Sequence, residues 1–217
     1  MEQLLIALPV LIFSVVLHEV AHGYAARAQG DPTAAMLGRL TLNPIPHLDP
    51  IGSLLVPGIL ALSGAPVLGW ARPVPVNSRN FRNYRRGDII VSLAGVAVNL
   101  VLAIICAMLL AVLSWLVVAA PGYMAAWQMV GMMLHYGVLI NLILLVFNLL
   151  PIPPLDGSHV FYHLLPPRLG AQYRQLTPYG MYILFGLLFL TRFSFIAAPV
   201  YAMRSVLLSL TSLLAAG

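Results

Sequence analysis

The residues Leu4-Leu5-Ile6-Ala7-Leu8-Pro9-Val10-Leu11-Ile12-Phe13-Ser14-Val15-Val16-Leu17 run without a break into His18-Glu19-Val20-Ala21-His22. The first part carries no charge and reads as a membrane helix; the second is an H-E-x-x-H pattern. On a helix, histidines at i and i+4 leave one face. Both imidazoles can then hold one metal ion, with Glu19 pointing beside it at a metal-bound water. Three ionisable side chains at the end of an apolar segment are costly in hydrocarbon and mark a functional site. The pattern implies hydrolytic chemistry in or beside a bilayer.

The rest of the composition agrees. Of 217 residues, 61% are hydrophobic and only 8% charged, and the mean hydropathy of +0.95 excludes an ordinary soluble domain. Every basic residue is arginine, and the acids are Glu2, Glu19, Asp31, Asp49, Asp88 and Asp156. The net charge of +5 does not argue for nucleic acid. The arginines cluster at the ends of apolar runs, where they set topology and meet anionic lipid headgroups. The single cysteine, Cys106, lies in an apolar run. That excludes a disulfide framework and a thiolate metal site, so any metal is held by His and carboxylate.

A bilayer crossing needs roughly 20 residues. Leu4–Val20, Ile89–Ala120, Met129–Leu150, Tyr179–Leu190 and Ile196–Leu214 fit five crossings, the fourth of them short. Ile51–Ala71 is also uncharged but is broken by Pro57, Gly58, Gly64, Pro66 and Gly69. It reads as a re-entrant segment shielded by protein. That reading keeps Arg27 and Arg39 on the same side as Arg72, Arg79, Arg82, Arg85 and Arg86, as the positive-inside rule prefers. The N-terminus then faces out, and the H-E-x-x-H motif faces the cytoplasmic side. Gly38–Pro44 alternates weakly and ends in proline, the pattern of a short edge strand. The expected architecture is an all-α polytopic membrane protein of about five helices. It forms one domain over 1–217, with a core at about 4–160 and C-terminal helices at about 178–214.

A catalytic zinc usually takes three protein ligands and keeps one position open. The search for a third ligand leads to Asp156, in Asn148-Leu-Leu-Pro-Ile-Pro-Pro-Leu-Asp-Gly157. The third crossing ends there, on the side where the first delivers His18 and His22. Pro151, Pro153 and Pro154 stop regular helix, so the aspartate is expected on unwound backbone lining a cavity. His47 with Asp49, His159 with His163, and His135 read better as loop, interfacial and buried histidines than as further ligands. Asn141 and Asn148 read as interhelical hydrogen-bonding residues.

H-E-x-x-H followed by N-x-x-P-x-x-x-L-D-G in a polytopic chain resembles the site-2 protease family of intramembrane zinc metalloproteases. A third element, Ser92-Leu-Ala-Gly-Val-Ala-Val-Asn99, is similar to the family's S-x-A-G-P-x-x-N, with Val96 in place of proline. Asn43–Gly52 and Gly69–Val76 are similar to the compact bacterial and archaeal branch, a minimal form without PDZ or CBS module. The resemblance implies one zinc ion held by His18, His22 and Asp156, with Glu19 as catalytic base. It also implies a membrane-protein substrate with a transmembrane segment that must unwind. Asn99 and Asn148 are candidates to donate to the oxyanion or hold the substrate, since an amide is an uncharged donor acceptable at membrane depth.

Two other classes compete: a silent relative that binds membrane partners, and a transporter of metal or protons. A binding protein has no need of Glu19, which is intact. A transporter more often shows paired repeats with broken helices in both halves, and none is visible.

Overall fold

The computed structural model describes residues 2–55, 59 and 71–216. Its elements are helical: α1 (Glu2–Gln29), α2 (Thr33–Met36), α3 (Tyr84–Ala119), α4 (Met124–Asn148), α5 (Asp156–Leu164), α6 (Pro167–Arg174), α7 (Gly180–Thr191) and α8 (Ser194–Ala216). Among the described residues, four helical stretches are long and apolar enough to cross a membrane: Leu5–Gln29, Tyr84–Ala119, Pro121–Asn148 and Ser194–Ser212. The chain is a helical membrane protein. The fourth expected crossing, read from the sequence as short, is a short apolar helix. α7 rises only about 18 Å at 1.5 Å per residue, against a hydrocarbon core of about 30 Å. It ends where Arg192 and Phe193 take left-handed backbone, φ 48 and 63°.

No strand forms over Gly38–Pro44, so the expected edge strand is corrected too. Local bonds take its place: the Asn43 N–H donates to Thr41 Oγ1 and the Ile45 N–H to Asn43 Oδ1. Such side-chain turns compete with a ladder for the same backbone groups. The re-entrant segment Ile51–Ala71 lies mostly outside the described residues; its start belongs to a π-helical turn, Pro50–Leu55. α3 begins earlier than the apolar run because Asn83 caps it, its Oδ1 accepting the Arg86 N–H at 3.0 Å.

Two compact units are present, Val15–Gly95 and Met1–Ser14 with Val96–Gly217. In the first unit α1 stops at Gly30, whose φ of +112° suits glycine. The Asp31 N–H reaches Ala26 O and the Gly30 N–H reaches Arg27 O, closing a Schellman end. Asp31 is fully buried. Its carboxylate accepts from the Thr33 N–H and hydroxyl, from the Asn77 N–H at 2.7 Å and from Asn80 Nδ2 at 2.8 Å. This clasp ties the end of α1 to residues 77–80.

Burial alone pushes the Asp31 carboxyl up, but those hydrogen bonds outweigh it and hold it below the usual carboxylate range. A carboxyl depressed on folding stabilises the protein above its unfolded pKa of about 3.9, and that contribution is lost as pH falls through the folded value. Thermal unfolding in detergent should therefore find Asp31→Asn less stable than wild type at pH 5–7, with the gap closing below about pH 4. A gap indifferent to acid would contradict the clasp.

In the second unit, α4 and α8 pack together. A buried polar chain crosses its interior. Asn99 Nδ2 donates to Asn141 Oδ1 at 2.8 Å, and Asn141 Nδ2 donates to Ser14 Oγ at 2.9 Å and to Gly137 O. Away from it Leu11, Phe13, Val101, Met108 and Trp115 are exposed, as expected of faces that meet lipid.

Candidate metal centre

α1 carries the H-E-x-x-H motif two turns before its end, and the i, i+4 spacing acts as the sequence implies. His18 and His22 are both buried, their rings edge to face with centroids 4.6 Å apart. His22 Nδ1 lies 2.7 Å from Val91 O. A carbonyl only accepts, so Nδ1 carries the hydrogen and Nε2 keeps its lone pair. That Nε2 faces His18 Nε2 at 3.0 Å. Two imidazole nitrogens on one tetrahedral zinc, each about 2.05 Å from it, stand about 3.3 Å apart. The observed separation is close to that of two ligands on one ion.

Asp156 opens α5 as its first residue, after Leu155 in extended conformation. The sequence expectation of unwound backbone at the aspartate itself is therefore corrected. The irregular stretch is Leu149–Leu155, and Asp156 sits where a helix N-terminus favours negative charge. One ligand atom from each of His18, His22 and Asp156 falls within 4.8 Å of the others. Among the described residues these three alone form such a group. Two neutral imidazoles and a carboxylate are a donor set suited to catalytic zinc.

Glu19 is half-buried, and its Oε2 accepts the backbone N–H of Val74 at 2.8 Å. Val74 lies in a segment without regular structure, Ala71–Asn77.

The glycine of the S-x-A-G element has a visible purpose. A Cβ at Gly95 would lie 2.5 Å from His18 Cε1, 2.6 Å from His22 Nε2 and 2.7 Å from His18 Nδ1. Only a bare Cα lets α3 pass beside both rings.

The other candidates lie elsewhere. Asn99 is fully buried in the Ser14–Asn141–Asn99 chain. Asn148 is half-buried and donates one amide hydrogen to Leu144 O in its own helix. His47 is buried with Nε2 on Thr41 O, and Asp49 Oδ1 caps the turn that follows it, accepting from Ile51 and Gly52. His159 is exposed, whereas His163 is buried against Tyr162. The sequence reading missed Val74 and Val91, which act through backbone atoms and have no side-chain signature. A signal for Val74 did exist: between Pro73 and Pro75, its amide is the one that can donate.

The profile described as peptidase family M50 matches residues 112–191. The chain is 44% identical over 183 residues to "Putative zinc metalloprotease YwhC" of Bacillus subtilis, covering 83% of this chain and 78% of that protein. It is 37% identical over 181 residues to "Putative zinc metalloprotease Rip2" of Mycobacterium tuberculosis strain H37Rv, covering 82% of this chain and 63% of the relative. The Rip2 of Mycolicibacterium smegmatis is also 37% identical, over 169 residues, 77% of this chain and 59% of that one. No solved structure matches.

With helices apolar enough to span a bilayer and a group of two buried histidines and a partly buried aspartate, these relatives define a membrane zinc metalloprotease. The chain belongs to peptidase family M50, the site-2 proteases.

Proposed function

We propose that the chain is an intramembrane zinc endopeptidase that cuts peptide bonds in or near transmembrane segments of other membrane proteins, as in regulated intramembrane proteolysis. The observation that supports this most is the grouping of His18, His22 and Asp156, with Glu19 between the histidines on the same helix. On this reading His18, His22 and Asp156 hold the zinc and residues 1–217 work as one domain. The N-terminus faces out and the site opens towards the cytoplasm, in line with the arginine clusters at 72–86.

Zinc, when bound, supplies a Lewis acid that brings the pKa of a water in its open position to about 7. Glu19 takes the proton of the attacking water and passes it to the amide nitrogen of the leaving segment, so that the C–N bond breaks with a neutral amine as product. The Val91 carbonyl holds the His22 ring in the tautomer that presents Nε2. Asn99 serves by holding helices in place. Asn148, with a second amide hydrogen not given to Leu144, is the candidate donor to an extended substrate. A helical substrate must first unwind, because its carbonyls are occupied by its own hydrogen bonds.

The test is metal removal. Detergent-purified protein stripped with a chelator should lose cleavage of a model protein carrying one transmembrane segment, and about one zinc per chain should restore it. Undiminished cutting by metal-free protein would refute the reading.

A further inference from the structure

The segment Arg72-Pro73-Val74-Pro75-Val76 meets the motif where the Val74 N–H donates to Glu19 Oε2. Its placement there is built from several sides. The Val74 side chain is buried, and Gly23 makes room for it. A Cβ at Gly23 would run into Leu40 and lie 3.0 Å from Val74 Cγ1. Gly23 and Glu19 are i and i+4 on α1, so the side chain that packs at one and the amide that binds the other meet a single helix face. The prolines on either side carry no N–H, and Arg39 holds the segment from the carbonyl side. Its Nη2 donates to Arg72 O at 3.0 Å and to Pro73 O at 3.3 Å.

We infer that Arg39 is a positioning residue for the catalytic base: through the carbonyls of Arg72 and Pro73 it presents the Val74 amide to Glu19, fixing one carboxylate oxygen so that the other is aimed at the attacking water. The inference rests on the proposed role of Glu19. Arg39 suits this task because its planar guanidinium can give two hydrogens from one nitrogen to adjacent carbonyls. The Glu19 charge also favours the charged guanidinium, although burial and Arg72 together lower its pKa. A carboxylate with one oxygen pinned has lost most of its rotational freedom before substrate arrives, which is the kind of preorganisation that acts on kcat.

The test compares wild type with Arg39→Ala, Arg39→Lys and Val74→Pro, purified with zinc and supplied with the same single-span substrate. Val74→Pro removes the one amide hydrogen while keeping an extended backbone, which a residue preceding proline already favours. Arg39→Ala and Val74→Pro should each lower kcat about 10- to 100-fold with KM within about twofold and zinc per chain unchanged. The double variant should be no worse than either single one, because both break one relay. Arg39→Lys should recover part of the loss.

A second readout does not depend on activity. The chain has only two glutamates, so in a Glu2→Gln background ¹³C-glutamate labels Glu19 alone. Its carboxylate infrared band should shift alike in Arg39→Ala and Val74→Pro. An unmoved band, additive losses in the double variant, a change confined to KM, or loss of zinc would each overturn the inference. If the band shifts as expected but Glu19→Gln still cuts, the relay stands and the role of Glu19 as base fails instead.

Discussion

Glu19→Gln should keep its zinc and lose peptide-bond cleavage by about 10²- to 10⁴-fold, the range that a positioned general base contributes. The substitution is close to isosteric, and a glutamine carbonyl can still accept the Val74 N–H that Glu19 Oε2 accepts at 2.8 Å. Position is therefore conserved while basicity is removed. The fall should appear in kcat, with substrate binding little changed. Zinc analysis on the same sample separates this from collapse of the site. Cleavage within about tenfold of wild type would assign the base elsewhere.

Gly95→Ala should be nearly as damaging, and for a reason that helix propensity hides. In a helix interior alanine is favoured over glycine by about 1 kcal/mol, so α3 itself should form at least as well. The added methyl, however, would fall 2.5 to 2.7 Å from atoms of both His18 and His22. These are rings buried in a packed interior, so neither can swing clear without abandoning its nitrogen geometry. Loss of one supporting partner typically costs about 10- to 100-fold in metal affinity, and displacing two ligands should cost at least that. Zinc titration with circular dichroism reads the result. Full helicity with zinc binding lost is expected, whereas undiminished zinc affinity would show that the rings have room to move.

The sequence carried much of this site because its chemistry resides in side chains with few alternative uses. Two histidines four apart beside a glutamate, at the end of an uncharged run, have little other reason to lie in an apolar segment. The Asp156 motif is nearly as informative. It was less informative about backbone: prolines 151, 153 and 154 correctly marked an irregular stretch, but not that Asp156 would begin the next helix. The edge strand drawn over Gly38–Pro44 failed because alternation in seven residues is a weaker signal than the turn-forming oxygens of Thr41 and Asn43. The apolar run at Tyr179–Leu190 has the composition of a crossing, and its shortness in the sequence is matched by a helix of 12 residues, Gly180–Thr191. The crowding at Gly95 was illegible, since a glycine within a helix signals close approach without saying to what.

The buried chain Ser14–Asn141–Asn99 joins three helices by side-chain hydrogen bonds. Ser14 stands one helical turn before His18 on α1, and Asn99 one turn after Gly95 on α3. Sliding either helix by a turn, about 5.4 Å, would unseat the amides and carry histidine and glycine out of step by the same distance. Axial misalignment that spoils the proposed metal ligands thus also strands polar groups away from their partners, at a cost of several kcal/mol each before relaxation. The amide chain works as a vernier: a slip of one turn is penalised at the amides, one turn away from the histidine and glycine whose alignment matters.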